Sequence, residues 1–175
     1  FLMEIDIPPG SDLAALTPAT NAFVTSSGTG EGHVRISGPL SHPLYEGSAR
    51  IRDAGFVIRH LEEVYREASC DATFSGDIVH LTNITGREGL TGTFSGDGTL
   101  TFRGLEMENF DVRLDLDRFL VASIPDLRAL VSGRSGRITG VKVGPDSLLV
   151  PKFSGDLEVL KARYTGNFAE TPGAA

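Results

Sequence analysis

Tryptophan is absent from the 175 residues, and a single cysteine, Cys70, rules out any internal disulfide. No apolar run approaches the roughly 18 residues that cross a bilayer as a helix. Basic residues cluster nowhere, and the net charge of −7 argues against a nucleic-acid or anionic-membrane surface. The start, Phe1 to Ile7, lacks the basic head and apolar centre of a signal peptide. It reads as the middle of a strand, so the chain reads as a piece of something longer. The four histidines (His33, His42, His60 and His80) lack zinc-site spacing, and Gly133-Arg134-Ser135-Gly136 falls short of a nucleophile elbow.

What the chain does have is alternation. From Asn109 to Asp117, Phe110, Val112, Leu114 and Leu116 take one parity, while Asp111, Arg113, Asp115 and Asp117 take the other. A strand sends these two sets to opposite faces, whereas a helix would scatter both. Twenty-one glycines separate many such segments, which predicts an all-β chain of short strands. Expected strands include Ile78 to Asn83, Leu90 to Ser95, Thr99 to Arg103 and Phe110 to Asp117, with a bulge near Asp117-Arg118. Pro8-Pro9-Gly10 should end the first strand. Asp12 to Thr17 should make a helical turn, and Gly28, Gly30 and Gly32 a flexible one. Arg59 to Glu67, with Leu61, Val64 and Tyr65 at helical spacing, predicts one short amphipathic helix.

Two repeats stand out. Thr73-Phe74-Ser75-Gly76-Asp77 recurs at Thr93 to Asp97, and Phe153 to Asp156 echoes it; all three read as turns. A longer repeat aligns 35–56 with 137–164. Its matches include Ile36/Ile138, Pro43/Pro151, Tyr45/Phe153, Gly47/Gly155 and Phe56/Tyr164. The expected organisation is a leading strand and linker (1–27), a repeat-bearing segment (28–165) and a tail (166–175).

These motifs carry a resemblance. Gly28-x-Gly-x-Gly32, Val34-x-Ile36-x-Gly38, Pro43-x-x-x-Gly47 and Ile51-x-Asp53-Ala54-Gly55-Phe56 come first. The strands G-x-F-x-G-D-G-x-L-x-F from Gly92, then Phe110 to Leu116, Val131-Ser132-Gly133 and Ile138-x-Gly140 follow in order. The set resembles the TamB-like (DUF490) translocation and assembly family, related distantly to AsmA-like and bridge-like lipid-transfer proteins. The resemblance implies a curved, taco-like sheet of solenoid-like stacked strands with an apolar concave groove. It implies a periplasm-spanning protein anchored in the inner membrane of a Gram-negative bacterium and working with an Omp85-type barrel through parts of the parent protein. The implied function is non-enzymatic and cofactor-free. It is phospholipid movement to the outer membrane, assembly of outer-membrane proteins such as autotransporters, or both.

In such a groove Phe74, Val79, Leu81, Phe94, Leu100, Phe102, Phe110, Val112, Leu114 and Leu116 would meet acyl chains or nascent β-strands. Exposed sheet edges would let copies associate. The alternatives are a ligand-free β-solenoid spacer or passenger domain with a filled core, and a carbohydrate-active β-helix enzyme needing facing carboxylates. Glycine-rich repeats that bind calcium share the S-G-D step, but the nonapeptide spacing is missing.

Overall fold

The computed structural model describes residues 1–14, 23–58, 64–124, 127–142 and 149–164. They form one antiparallel sheet in which each strand pairs with its neighbour in sequence: β1 (Leu2–Asp12), β2 (Phe23–Ser37), β3 (Leu44–Ile58), β4 (Val64–Gly76), β5 (Ile78–Glu88), β6 (Gly92–Arg103), β7 (Glu106–Ile124) and β8 (Leu127–Lys142). Past β8, β9 (Leu149–Ser154) and β10 (Glu158–Tyr164) lie end to end along the same edge. The sheet does not close into a barrel: β1 is one edge, β9 and β10 the other.

The alternation seen in β7 extends through the whole sheet. One row of cross-strand partners reads Ile5, Val34, Gly47, Phe74, Val79, Leu100, Phe110 and Gly140. The next reads Ile7, Gly32, Ala49, Ala72, Leu81, Gly98, Val112, Ile138 and Phe153. Both rows lie on one face. The opposite face carries Asp6, His33, Ser48, Thr73, His80, Thr99, Asp111 and Thr139 in a parallel row. Glycines on the apolar face give room to rings. A Cβ on Gly140 would sit 2.1 Å from the Phe110 ring, and one on Gly86 would sit 2.4 Å from Phe94.

Bulges recur toward mid-length in β3, β4, β5, β7 and β8, while the β6–β7 ladder runs unbroken from Thr93 to Thr101. Register breaks fall at Ile51/Ala54, Arg66/Ser69, Leu81/Ile84 and Leu114/Leu116, and Asp53, Glu67, Asn83, Arg118 and Ser135 take positive φ beside them. Each bulge bends its strand, so together they crease the sheet and divide its apolar face in two. The expected bulge near Asp117-Arg118 is one of this set.

Rings three strands apart would have Cα atoms roughly 14 Å apart in a flat sheet. Tyr45 on β3 instead meets Phe102 on β6 at 5.7 Å, and Tyr65 on β4 meets Phe119 on β7 at 6.3 Å. The sheet therefore curves toward the face that carries these rings.

No second layer of secondary structure among the described residues covers that face. The chain exposes 11651 Å², against roughly 8,200 Å² for a folded monomer of this mass. Even the most buried apolar side chains, Val79 and Val131, keep 3 % of their surface.

Several local expectations are corrected. No α-helix occurs among the described residues; Val64 to Glu67 belong to β4, while 59–63 lie outside them. Val64 and Tyr65 are good strand formers, and they alternate, Val64 being exposed and Tyr65 buried against Phe56 with ring centroids 4.9 Å apart. β1 continues through Pro8-Pro9-Gly10, which bulge out between Ile7 and Ser11. An edge strand tolerates this because proline's missing donor faces no partner. The Asp12–Thr17 turn exists at Leu13-Ala14, where the Ala14 amide donates to Asp12 Oδ1 at 2.9 Å; 15–17 lie outside the described residues.

Gly28, Gly30 and Gly32 are not a flexible turn but part of β2, packed against Ala54, Leu13 and Ala49. Gly96-Asp97 is no turn either: it lies within β6, so Leu90 to Ser95 and Thr99 to Arg103 are not two strands but, from Gly92, a single one.

Candidate functional site

All ten residues singled out as groove-lining share the apolar face. Phe74, Val79, Leu100 and Phe110 are consecutive cross-strand partners. Leu81 and Val112 flank Gly98 in the next row, and Leu114 lies between Gly96 and Gly136. Phe102 continues β6 beyond Leu100. Phe94 and Leu116 pair with each other on the far side of the crease. There they join a packed group, with Phe94 edge-on to Tyr65 at 6.2 Å and to Phe119 at 6.1 Å.

Val79 and Leu116 are buried, and the other eight are half-buried. The face thus has one filled half and one half whose large side chains meet no second layer among the described residues.

Sequence reasoning missed Tyr45 and Val34, which extend the unfilled half, and Phe56, Tyr65 and Phe119, which fill the other. Tyr45 and Phe56 were visible as matched positions of the long repeat. The structure gives that match a geometric sense. Ile36 pairs with Tyr45 as Ile138 pairs with Phe153, and Arg35 pairs with Glu46 as Arg137 pairs with Ser154. β2–β3 and β8–β9 thus share one register.

The packed half also holds Glu88, 3 % exposed, whose Oε2 accepts the Leu120 amide at 2.9 Å. That amide lies beyond the last β6–β7 pair, Thr93 with Asp117, while Leu120 stays paired with Leu130 of β8 on its other side. The carboxylate supplies the acceptor that the ladder lacks there.

The polar face is laced by ion pairs. Asp111 accepts from Arg137 Nε at 2.7 Å and Nη2 at 2.5 Å. Asp71 accepts from Asn83 Nδ2 at 2.7 Å and Arg52 Nη2 at 2.5 Å, with Arg50 at 3.6 Å. Both carboxyls are held below the usual value, Asp111 chiefly by its bond from Arg137 and Asp71 by its bonds from Asn83 and Arg52. A depressed carboxyl contributes stability above its unfolded pKa and loses it as pH falls through the folded one. The urea midpoint should therefore decline as pH is lowered from about 5 to about 3, and Asp111→Asn should shrink that decline. An unchanged slope in the variant would remove Asp111 from the acid response. At the β1–β2 edge, His33 Nδ1 lies 2.6 Å from Asp6 Oδ1, and this hydrogen bond raises the imidazole's pKa.

Burial pushes the Cys70 thiol up, which favours an inert side chain. Among the described residues no group of His, Cys, Asp or Glu could hold a metal ion, and no helix is long and apolar enough to cross a membrane.

Comparison with known proteins places this sheet. Neither the curated proteins nor the solved structures returned a match. The sequence pattern of the TamB C-terminal domain matches residues 82–175, just over half of the chain. That family is a non-enzymatic part of the translocation and assembly module, spans the envelope of Gram-negative bacteria and works with the Omp85-type barrel TamA. The match begins within β5 and takes in β6 to β10, including the alternating β7 and the second copy of the long repeat, and the chain belongs to the TamB family.

Proposed function

We propose that the curved apolar face is a trough that shields acyl chains on their way across the periplasm to the outer membrane. The observation that carries this reading is the pair of apolar rows crossing the strands while most of their large side chains are only half-buried. Such rows run along the stacking axis, for about 38 Å over nine strands at the usual interstrand spacing.

An acyl chain laid along them completes the core that the protein leaves unfinished. Each CH₂ removed from water contributes about 0.8 kcal/mol. The interaction has no directional bond, so a chain slides by exchanging one apolar contact for an equal one. Amphipathic strands of outer-membrane proteins offer the same chemistry on one face, and the Omp85-type partner fits either cargo. The parent would be anchored in the inner membrane, with the polar face keeping the outside of the sheet wet. Pairing of copies through β1 or the β9–β10 edge belongs to the same reading.

Native mass spectrometry of the purified chain, followed by organic extraction and lipid analysis, tests the trough. Phospholipid at near-stoichiometric occupancy is expected. A ligand-free spectrum, with no uptake from liposomes, would leave a spacer whose exposed face meets other protein.

A further inference from the structure

Three hairpin ends converge at the rim of the unfilled half: the β2–β3 loop, the β4–β5 turn and the β6–β7 turn. Tyr45 Oη donates to Gly104 O at 2.8 Å, which ties the base of the first to the tip of the third. The β2–β3 loop itself reaches that tip, since a Cβ on Gly104 would lie 3.8 Å from the carbonyl oxygens of Leu40 and Ser41. Between the three ends lies a cavity of about 580 Å³. Pro43 and Phe102 give it an apolar wall, and His42, Asp77, Arg103 and Glu108 give it charged and polar groups. Phe102 borders both this cavity and the apolar rows.

Resting on the reading of the face as an acyl-chain trough, we propose that this cavity seats the headgroup of a zwitterionic aminophospholipid. An amphiphile whose tail enters the cross-strand row at Leu100 by way of Phe102 leaves its head at this rim. The cavity offers both signs of charge that such a head needs: Arg103, with His42 beside it, for the phosphate, and Asp77 and Glu108 for the ammonium. Arg103 is now paired with Glu108, but its side chain is 75 % exposed. An exposed ion pair is held weakly, so both partners can turn to a bound zwitterion. Two carboxylates against one guanidinium disfavour a head with a net negative charge.

The test offers the purified chain mixed vesicles of phosphatidylethanolamine and phosphatidylglycerol, equimolar and with identical acyl chains. The chain is re-isolated and its extracted lipid is quantified. The ethanolamine lipid should be enriched about threefold, the scale set by an exposed charge contact. The double variant Asp77→Asn/Glu108→Gln should bring the ratio to unity with the total bound lipid unchanged, and circular dichroism should show the same sheet. Equal uptake of both lipids by the parent chain would overturn the headgroup site and leave the trough standing. Enrichment that survives in the double variant would also overturn it. Uptake of neither lipid would overturn the trough and the headgroup site together.

Discussion

Gly47→Ala is expected to cost about 4 kcal/mol, a large part of what holds a domain of this size together. Gly47 is the fourth residue of β3, with φ +132, a region that side chains rarely enter. A Cβ there would lie 2.0 Å from the carbonyl oxygen of His33 and 3.1 Å from Val34 Cα, both backbone atoms of the adjacent strand. Neither can move without opening the β2–β3 ladder, to which Gly47 contributes its pairing with Val34. Gly76→Ala is the control. Its φ is +68 in the β4–β5 turn, and a Cβ would meet nothing within 4 Å. It should lose only the left-handed penalty, about 1 kcal/mol. Urea denaturation of both variants decides the matter. Equal shifts would mean that strain alone, and not the close approach of β2, governs Gly47.

Leu114→Arg should leave the sheet folded and lower its bound lipid about tenfold or more, the scale on which a charge is excluded from an apolar environment. Leu114 is half-buried between Gly96 and Gly136, at the crease where the two halves of the face meet. In a sealed core an arginine here would be trapped without a partner and the chain would unfold. On an open face its long stem can lie over the neighbouring glycines while the guanidinium reaches water. The loss of stability is then about 1–2 kcal/mol, and the fixed charge stands where tails would pass. Leu114→Ala, which removes bulk and adds no charge, should keep most of the lipid. An arginine variant that folds and still carries as much phospholipid as its parent would end the trough reading. So would one that unfolds when the parent never held lipid.

The strands of this sheet were legible wherever apolar and polar residues alternate without interruption, as in β7. The family was legible in the order of motifs that are each degenerate. What local sequence concealed was context. Thr73 to Asp77 ends in a hairpin turn, while the identical Thr93 to Asp97 lies inside β6, because Gly96 there must let the Arg113 carbonyl approach to 1.9 Å of where a Cβ would be. No property of the pentapeptide encodes that neighbour. Gly28, Gly30 and Gly32 read as a loop for the same reason: the residues that require glycine at those positions lie on β3 and at Leu13.

Val64 and Tyr65 satisfied a helical spacing over too short a window to distinguish it from alternation. Parity alone puts the ten residues on one face, as the strand register does. The crease was not visible, however, so Phe94 and Leu116, which sit in the packed half, were grouped with the others. Even the Arg118 bulge, which was anticipated, revealed nothing of the set it belongs to. That set exists only once the strands are side by side.

The order in which the strands pair has a kinetic consequence. Every strand up to β8 pairs with the one made just before it, so no strand pairing waits for a distant part of the chain. Loop-closure entropy, the usual brake on β-proteins, is small at each step. Growth then resembles a zipper: a hairpin forms, its free edge templates the next strand, and the sheet lengthens in the direction of synthesis. A chain emerging across a membrane end first can fold as it arrives. Each apolar face, unable to hide alone, would then be waiting for one more strand at any moment of that emergence. A chain that pairs its strands in this order would pass through shorter versions of the finished sheet.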